Sequence, residues 1–265
     1  MRVTFDSNVW RVVSSPEIFP KDKDKLHIDK IRNAIENGKI IPCISETMFT
    51  LEGIKNVDRK SFFGGYKAKI DFDVTELENG QIQIGITMEP DHSAHPGNTP
   101  HLTKHLTDAL RLGFKVLRCP RIGGVTNPDI LEQYYLQQRP DDLKEKLDLL
   151  GGLLREIESR GCGIKVIKDI GENFKGNASN WHEGIRNAPG SENRQIESAI
   201  AEWADGDSVA AHIAYKNDFF CTRDLAKKAG QRSIFSSANR NWIEAKYGKF
   251  IVTPKELADE LEKIN

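Results

Sequence analysis

The chain has 265 residues, 38% of them hydrophobic, and its 38 Lys and Arg nearly cancel 39 Asp and Glu to leave a net charge of −1. That apolar share fills one large domain or two small ones. The charge balance excludes a global basic field, so a nucleic-acid partner must be held by a local patch.

The four cysteines, Cys43, Cys119, Cys162 and Cys221, form no Cys-x-x-Cys pair. Their scatter argues against a zinc ribbon or a disulfide scaffold and predicts a reducing, cytoplasmic setting. The opening residues lack the apolar run of a signal peptide, and no stretch approaches the ~20 apolar residues of a membrane span.

In chain order, residues 3–5 read as a short strand. Residues 29–37 read as a helix with Ile31, Ala34 and Ile35 on one side and Gly38 as its stop. An isoleucine-rich strand follows at 39–44, and Ser45 caps a helix that continues to about Lys55. The stretch 58–189 has a different texture. Ile70, Phe72 and Val74, then Ile82, Ile84 and Ile86, alternate with polar residues around Asn79-Gly80, the signature of a β-hairpin. A His- and Pro-rich loop, a helix at 103–112, a strand at 115–117 and a long amphipathic helix come next, the last with Leu143, Leu147, Leu150, Leu154 and Ile157 on one stripe. A strand is expected at 164–167 and a polar linker at 173–190. Beyond it, residues 192–203 read as a helix broken by Asp205-Gly206, with a second helix starting at Asp207. Strands at 219–222, 233–235 and 250–252 frame a helical stretch at 225–229. Thr253-Pro254-Lys255-Glu256 is a capping box with proline at the first helical position. Short strands alternating with helices predict an α/β chain with a mainly parallel sheet covered on both faces.

Acidic residues stand out at the ends of these elements: Asp6, Glu52, Asp207 and Asp224. Carboxylates gathered from distant segments make a site for a hard divalent cation, and such a site can activate water against a phosphodiester. Phe5-Asp6-Ser7-Asn8-Val9 resembles the opening motif of PIN-domain nucleases. Asp207-Ser208-Val209-Ala210-Ala211 resembles that family's third motif, Phe220-Cys221-Thr222-Arg223-Asp224 its fourth, and Val252 to Leu257 its closing strand and helix. The second motif is a Glu on the helix after the second strand, for which Glu52 and Glu46 compete. The resemblance covers residues 1–57 and 190–265 and implies an α/β/α sandwich interrupted by an α+β insertion at 58–189 that contains the hairpin. It also implies a metal-dependent endoribonuclease, a hydrolase using Mg²⁺ or Mn²⁺ on RNA.

On that reading Asp6, Glu52, Asp207 and Asp224 are the catalytic metal ligands. Asn8, Thr222 and Asp205 stand behind them, orienting carboxylates. A helix start at Asp207 would favour its ionised form through the dipole. Lys55, Arg59 and Lys60, with Lys67 and Lys69 and the interleaved Phe62, Phe63 and Tyr66, suit a single-stranded RNA. The insertion is the expected contact for a protein partner or a second copy of the chain. A rival reading keeps the fold and drops the activity, leaving a scaffold that binds RNA or protein. A haloacid-dehalogenase-like phosphatase would need a second acid where Asn8 stands. The paired histidines His92/His95 and His101/His105 suggest either a polar loop or, for the i, i+4 pair, a zinc site.

Overall fold

The structure is a computed structural model that describes residues 1–65, 68–77, 81–90, 95–119, 132–137, 140–224 and 230–263, with side chains for all of these except 68–72, 86–90 and 140–141. The expected turn at Asn79-Gly80, the helical stretch at 225–229, Tyr66, Lys67, His92 and the Lys69 side chain lie outside the described parts.

Five strands form one parallel sheet: β1 (Arg2–Phe5), β2 (Ile41–Ser45), β5 (Lys115–Leu117), β6 (Phe219–Cys221) and β7 (Ile251–Val252), in the order β5-β2-β1-β6-β7. Alternation along β1 assigns its side chains to two faces. Val3 and Phe5 enter a core with α1 (Ser7–Ser14), α2 (Lys25–Glu36), α5 (Pro100–Arg111) and α11 (Pro254–Lys263). On the other face Phe220 and Ile251 pack with α6 (Pro140–Ser159), α9 (Asn193–Ala214) and α10 (Ser237–Tyr247). Thr4 is buried on this second face. Its Oγ1 accepts from Asn217 Nδ2 at 2.9 Å and lies 2.9 Å from His212 Nδ1 on α9. The result is an α/β chain with a parallel sheet between two helical layers, compatible with an α/β/α sandwich. A satellite core joins α4 (Asn56–Gly64), α7 (Ile164–Phe174), α8 (Trp181–Asn187) and the first half of α9.

The segment 58–189 is not set apart from the sheet. It supplies the edge strand β5, the core helix α5 and the layer helix α6. The hairpin is present as β3 (Ala68–Glu76) and β4 (Ile82–Pro90), antiparallel, with Val74 opposite Ile84. Leu150, Leu154 and Ile157 of the α6 stripe are buried, whereas Leu143 and Leu147 are exposed.

Four local expectations are corrected. Residues 164–167 begin a helix, because Ile164, Ile167 and Gly171 repeat at helical spacing against α8 and α9. The expected linker contains α8, capped by Asn180, whose side chain accepts from Glu183 N. Residues 233–235 form turns before α10. Asp205-Gly206 does not break α9, which runs unbroken over 22 residues. Gly206 is needed for close approach: a Cβ there would lie 2.9 Å from Gly163 Cα. The closing capping box forms as expected, with Glu256 N donating to Thr253 Oγ1 at 3.2 Å and Thr253 N to Glu256 Oε2 at 2.8 Å. Among the described residues no helix is long and apolar enough to cross a membrane.

Candidate active site

In a parallel sheet, ligands sit beyond the carboxyl ends of the strands where the strand order reverses. Here the chain runs from β1 outward to β2 and β5 on one side, and to β6 and β7 on the other. Asp6 follows β1 at that point. Alternation turns it to the same face as Thr4, toward α9. The β1–β6 register pairs Phe5 with Cys221, so the next residues, Asp6 and Thr222, lie side by side.

Asp6 is buried and fully engaged. Its Oδ1 accepts from Ser7 N at 2.7 Å, capping α1. Its Oδ2 accepts from Asn8 Nδ2 at 2.7 Å and from Thr222 Oγ1 at 2.5 Å. Asn8 Oδ1 accepts from Arg223 N at 3.0 Å, and Thr222 Oγ1 accepts from Asp224 N at 2.9 Å. Asn8 and Thr222 therefore tie the ends of β1 and β6 together. Arg223 clamps Asp22 with two hydrogen bonds of 2.6 and 2.9 Å. Burial pushes the Asp6 carboxyl up, and the Asp224 charge adds to this. The three hydrogen bonds pull the other way.

Glu46 and Glu52 have different surroundings. The expected helix from Ser45 to Lys55 is one turn, α3 (Thr47–Thr50), followed by turns that carry Glu52. Glu46 is buried beside Cys119, whose N–H it accepts, with Arg118, Tyr135 and Lys146 as its further neighbours. Glu52 faces the other way. Burial first, and then the Asp6 charge, push its carboxyl up to about 7. Ser7 hydrogen-bonds it, yet its Oε2 is closed off from solvent with no hydrogen-bond partner.

Helix α9 supplies the next acids, with its phase set by the unbroken helix. Asp205 and Asp207 are two residues apart, so they point about 200° apart around it. Asp205 is the one among the other acids. Burial raises its carboxyl well above the usual range, followed by the charges of Asp6, Glu52, Glu202 and Asp224. Asp207 is buried and accepts from Trp203 Nε1 at 3.0 Å, and its charge is felt by Cys119. Its place in the middle of α9 removes the helix-start argument for its ionisation. Glu202, one turn before Asp205, was not singled out by sequence. Burial pushes it up to about 7, while Ile234 N donates to its Oε1 at 2.6 Å. Its i, i+3 spacing from Asp205 is the signal that an unbroken helix would have exposed.

Glu202, Asp205 and Asp224 line a cleft of about 1180 Å³ together with Lys23 and Arg194, and Asp6 and Glu52 lie behind that wall. Lys23 and Arg194 are exposed and have no ion pair among the described residues. The basic stretch expected to meet RNA is differently employed. Arg59 is buried, and its guanidinium donates to the carbonyls of Glu52, Ile54 and Glu197 at 3.0, 3.0 and 3.1 Å, which fixes the turn that carries Glu52. Lys60 donates to the Ala188 carbonyl, and Phe62 and Phe63 are core residues. Lys55 is exposed. Both cations are consumed because the turn and α8 leave carbonyls that need donors.

Among the described residues no three His, Cys, Asp or Glu side chains stand close enough together to hold a metal ion. The chemistry of the donors, though not their spacing, fits a hard cation. They are carboxylate oxygens that raise one another's proton affinity, and one of those oxygens is buried without a partner. Comparison with family models, with curated proteins and with solved structures finds no match to the chain.

Proposed function

We propose that the chain is a metal-dependent ribonuclease of PIN type that hydrolyses phosphodiester bonds of RNA in the cleft beside α9. The observation that carries this reading is the electrostatic grouping of Asp6 and Asp224, which follow β1 and β6, with Glu52 and with Asp205 of α9, Glu52 Oε2 being buried and unpartnered. The strand order and the Asp6-Ser7-Asn8 and Thr222-Arg223-Asp224 motifs support it.

A Mg²⁺ or Mn²⁺ ion, bound if carboxylates of this group close on it, would supply Lewis-acid stabilisation of the phosphoryl oxygens and lower the pKa of an attacking water. Asn8 and Thr222 hold the Asp6 carboxylate in one orientation through their donated hydrogen bonds. Arg59 fixes the backbone of Glu52. Glu202 can take or give a proton near neutral pH. Lys23 and Arg194 face the cleft as phosphate contacts.

One observation favours the rival reading of a binding module on the same fold: the acids as described are too far apart for three of them to share one ion. Incubating the protein with RNA in Mn²⁺ or Mg²⁺ separates the two. The nuclease reading expects cleavage that chelator abolishes and that Asp6→Asn or Asp224→Asn removes. Cleavage that survives chelator, or survives both substitutions, sinks it.

A further inference from the structure

The histidine pair on α5 lies outside the carboxylate cleft. Thr99 caps this helix by accepting from Leu102 N, and Pro100 occupies its first turn, so His101 and His105 sit one turn apart on one face. Their Nε2 atoms are 3.1 Å apart. His105 is fully buried, stacked on Phe19 and edge-on to Trp10, whereas His101 is exposed.

The other nitrogen of His105 decides its tautomer. Ser15 Oγ donates its only proton to Asp108 Oδ2 at 2.9 Å. Lys104 donates to the same oxygen at 2.6 Å and keeps that carboxylate ionised. Ser15 can then only accept from His105 Nδ1, 3.0 Å away, so Nδ1 carries the proton. The Nε2 lone pair is left facing His101. Burial, followed by the effect of His101, lowers the proton affinity of His105.

We propose that His101 and His105 form a two-histidine site for a zinc-class divalent cation. An ion at the usual Zn–N distance of ~2.0–2.1 Å from both nitrogens would subtend an angle of about 98° across the 3.1 Å separation, between tetrahedral and octahedral values. Binding requires His101 to be neutral with its proton on Nδ1, so that its Nε2 lone pair is free for the ion, and His101 is exposed. Ser15 and Asp108 then act as the outer hydrogen-bonding partners that metal-binding histidines require. Water fills the remaining positions. Imidazole selects Zn²⁺, Ni²⁺ or Cu²⁺ over Mg²⁺, so the site is chemically distinct from the carboxylate cleft. Arg11 and Lys104 lie close enough to act on His105, and their charge opposes a cation there.

The test is a calorimetric titration of the whole chain with ZnCl₂ in saturating Mg²⁺. The wild type takes up one equivalent of Zn²⁺. His101→Ala, an exposed change checked by circular dichroism to keep its fold, loses it. Ser15→Ala weakens it about tenfold or more, and Asp224→Asn leaves it unchanged. Equal Zn²⁺ binding by His101→Ala and wild type overturns the proposal, as does an equivalent lost only in Asp224→Asn or absent from the wild type.

Discussion

Glu202→Gln is expected to make the metal-free protein more stable at alkaline pH while leaving it almost unchanged in acid. The Glu202 carboxyl is pushed from an ordinary value of 4.5 up to about 7, mainly by burial and further by the Asp224 charge. That difference in proton affinity corresponds to about 3.5 kcal/mol. The folded state holds this proton more tightly than the unfolded chain. Its stabilising contribution is therefore complete below about pH 4.5 and is lost as the pH rises through about 7. Gln cannot titrate, and its Oε1 still accepts from Ile234 N. The variant should match the wild type within a few tenths of a kcal/mol near pH 4 and exceed it by ~1–3 kcal/mol near pH 8. Urea unfolding in chelator at the two pH values measures this, read from the midpoints at constant m-value. Identical pH dependence in the two proteins would refute the claim that Glu202 is forced to carry an unfavourable charge beside Asp205 and Asp224.

Gly206→Ala tests the close approach of α9. Helix propensity alone favours Ala by ~1 kcal/mol, but the new Cβ would meet the Gly163 backbone at 2.9 Å. A net loss of ~1–3 kcal/mol is expected in thermal or urea melts, and a more stable variant would show that the contact yields freely. Thr222→Val removes the hydroxyl that donates to Asp6 and accepts from Asp224 N. It should cost ~1–3 kcal/mol of stability and lower cleavage through misplaced Asp6, with KM little changed. Wild-type turnover by this variant would remove Thr222 from the account.

The parallel sheet, the hairpin, the closing capping box and the Asp6 and Asp224 positions were legible in the sequence, because each rests on short-range signals. β1 is a buried run ending in Asp, and Thr253 and Glu256 bond each other across three residues. What sequence could not supply was phase and partnership. The i, i+4 repeat of small and apolar residues runs through Asp205-Gly206, yet glycine reads locally as a break; only the packing of Gly163 against α9 explains it. That misreading set Asp207 at a helix start and kept Glu202 and Asp205 from being seen one turn apart on one helix. The same limit applies to Arg59. A basic residue beside phenylalanines looks like a nucleic-acid contact until three backbone carbonyls claim it. Segment 58–189 looked like an insertion because β5 has three residues, too few to announce that it completes the sheet.

The most direct measurement compares Mn²⁺-dependent RNA cleavage by Asp205→Asn and Asp207→Asn. Asn at 207 still accepts from Trp203 Nε1, so that variant should stay within about tenfold of the wild type. Asn at 205 removes a carboxylate from the group formed with Asp6, Glu52 and Asp224, and should lose about 100-fold or more. The opposite order, or a wild type that leaves RNA intact in Mn²⁺, contradicts the site as described.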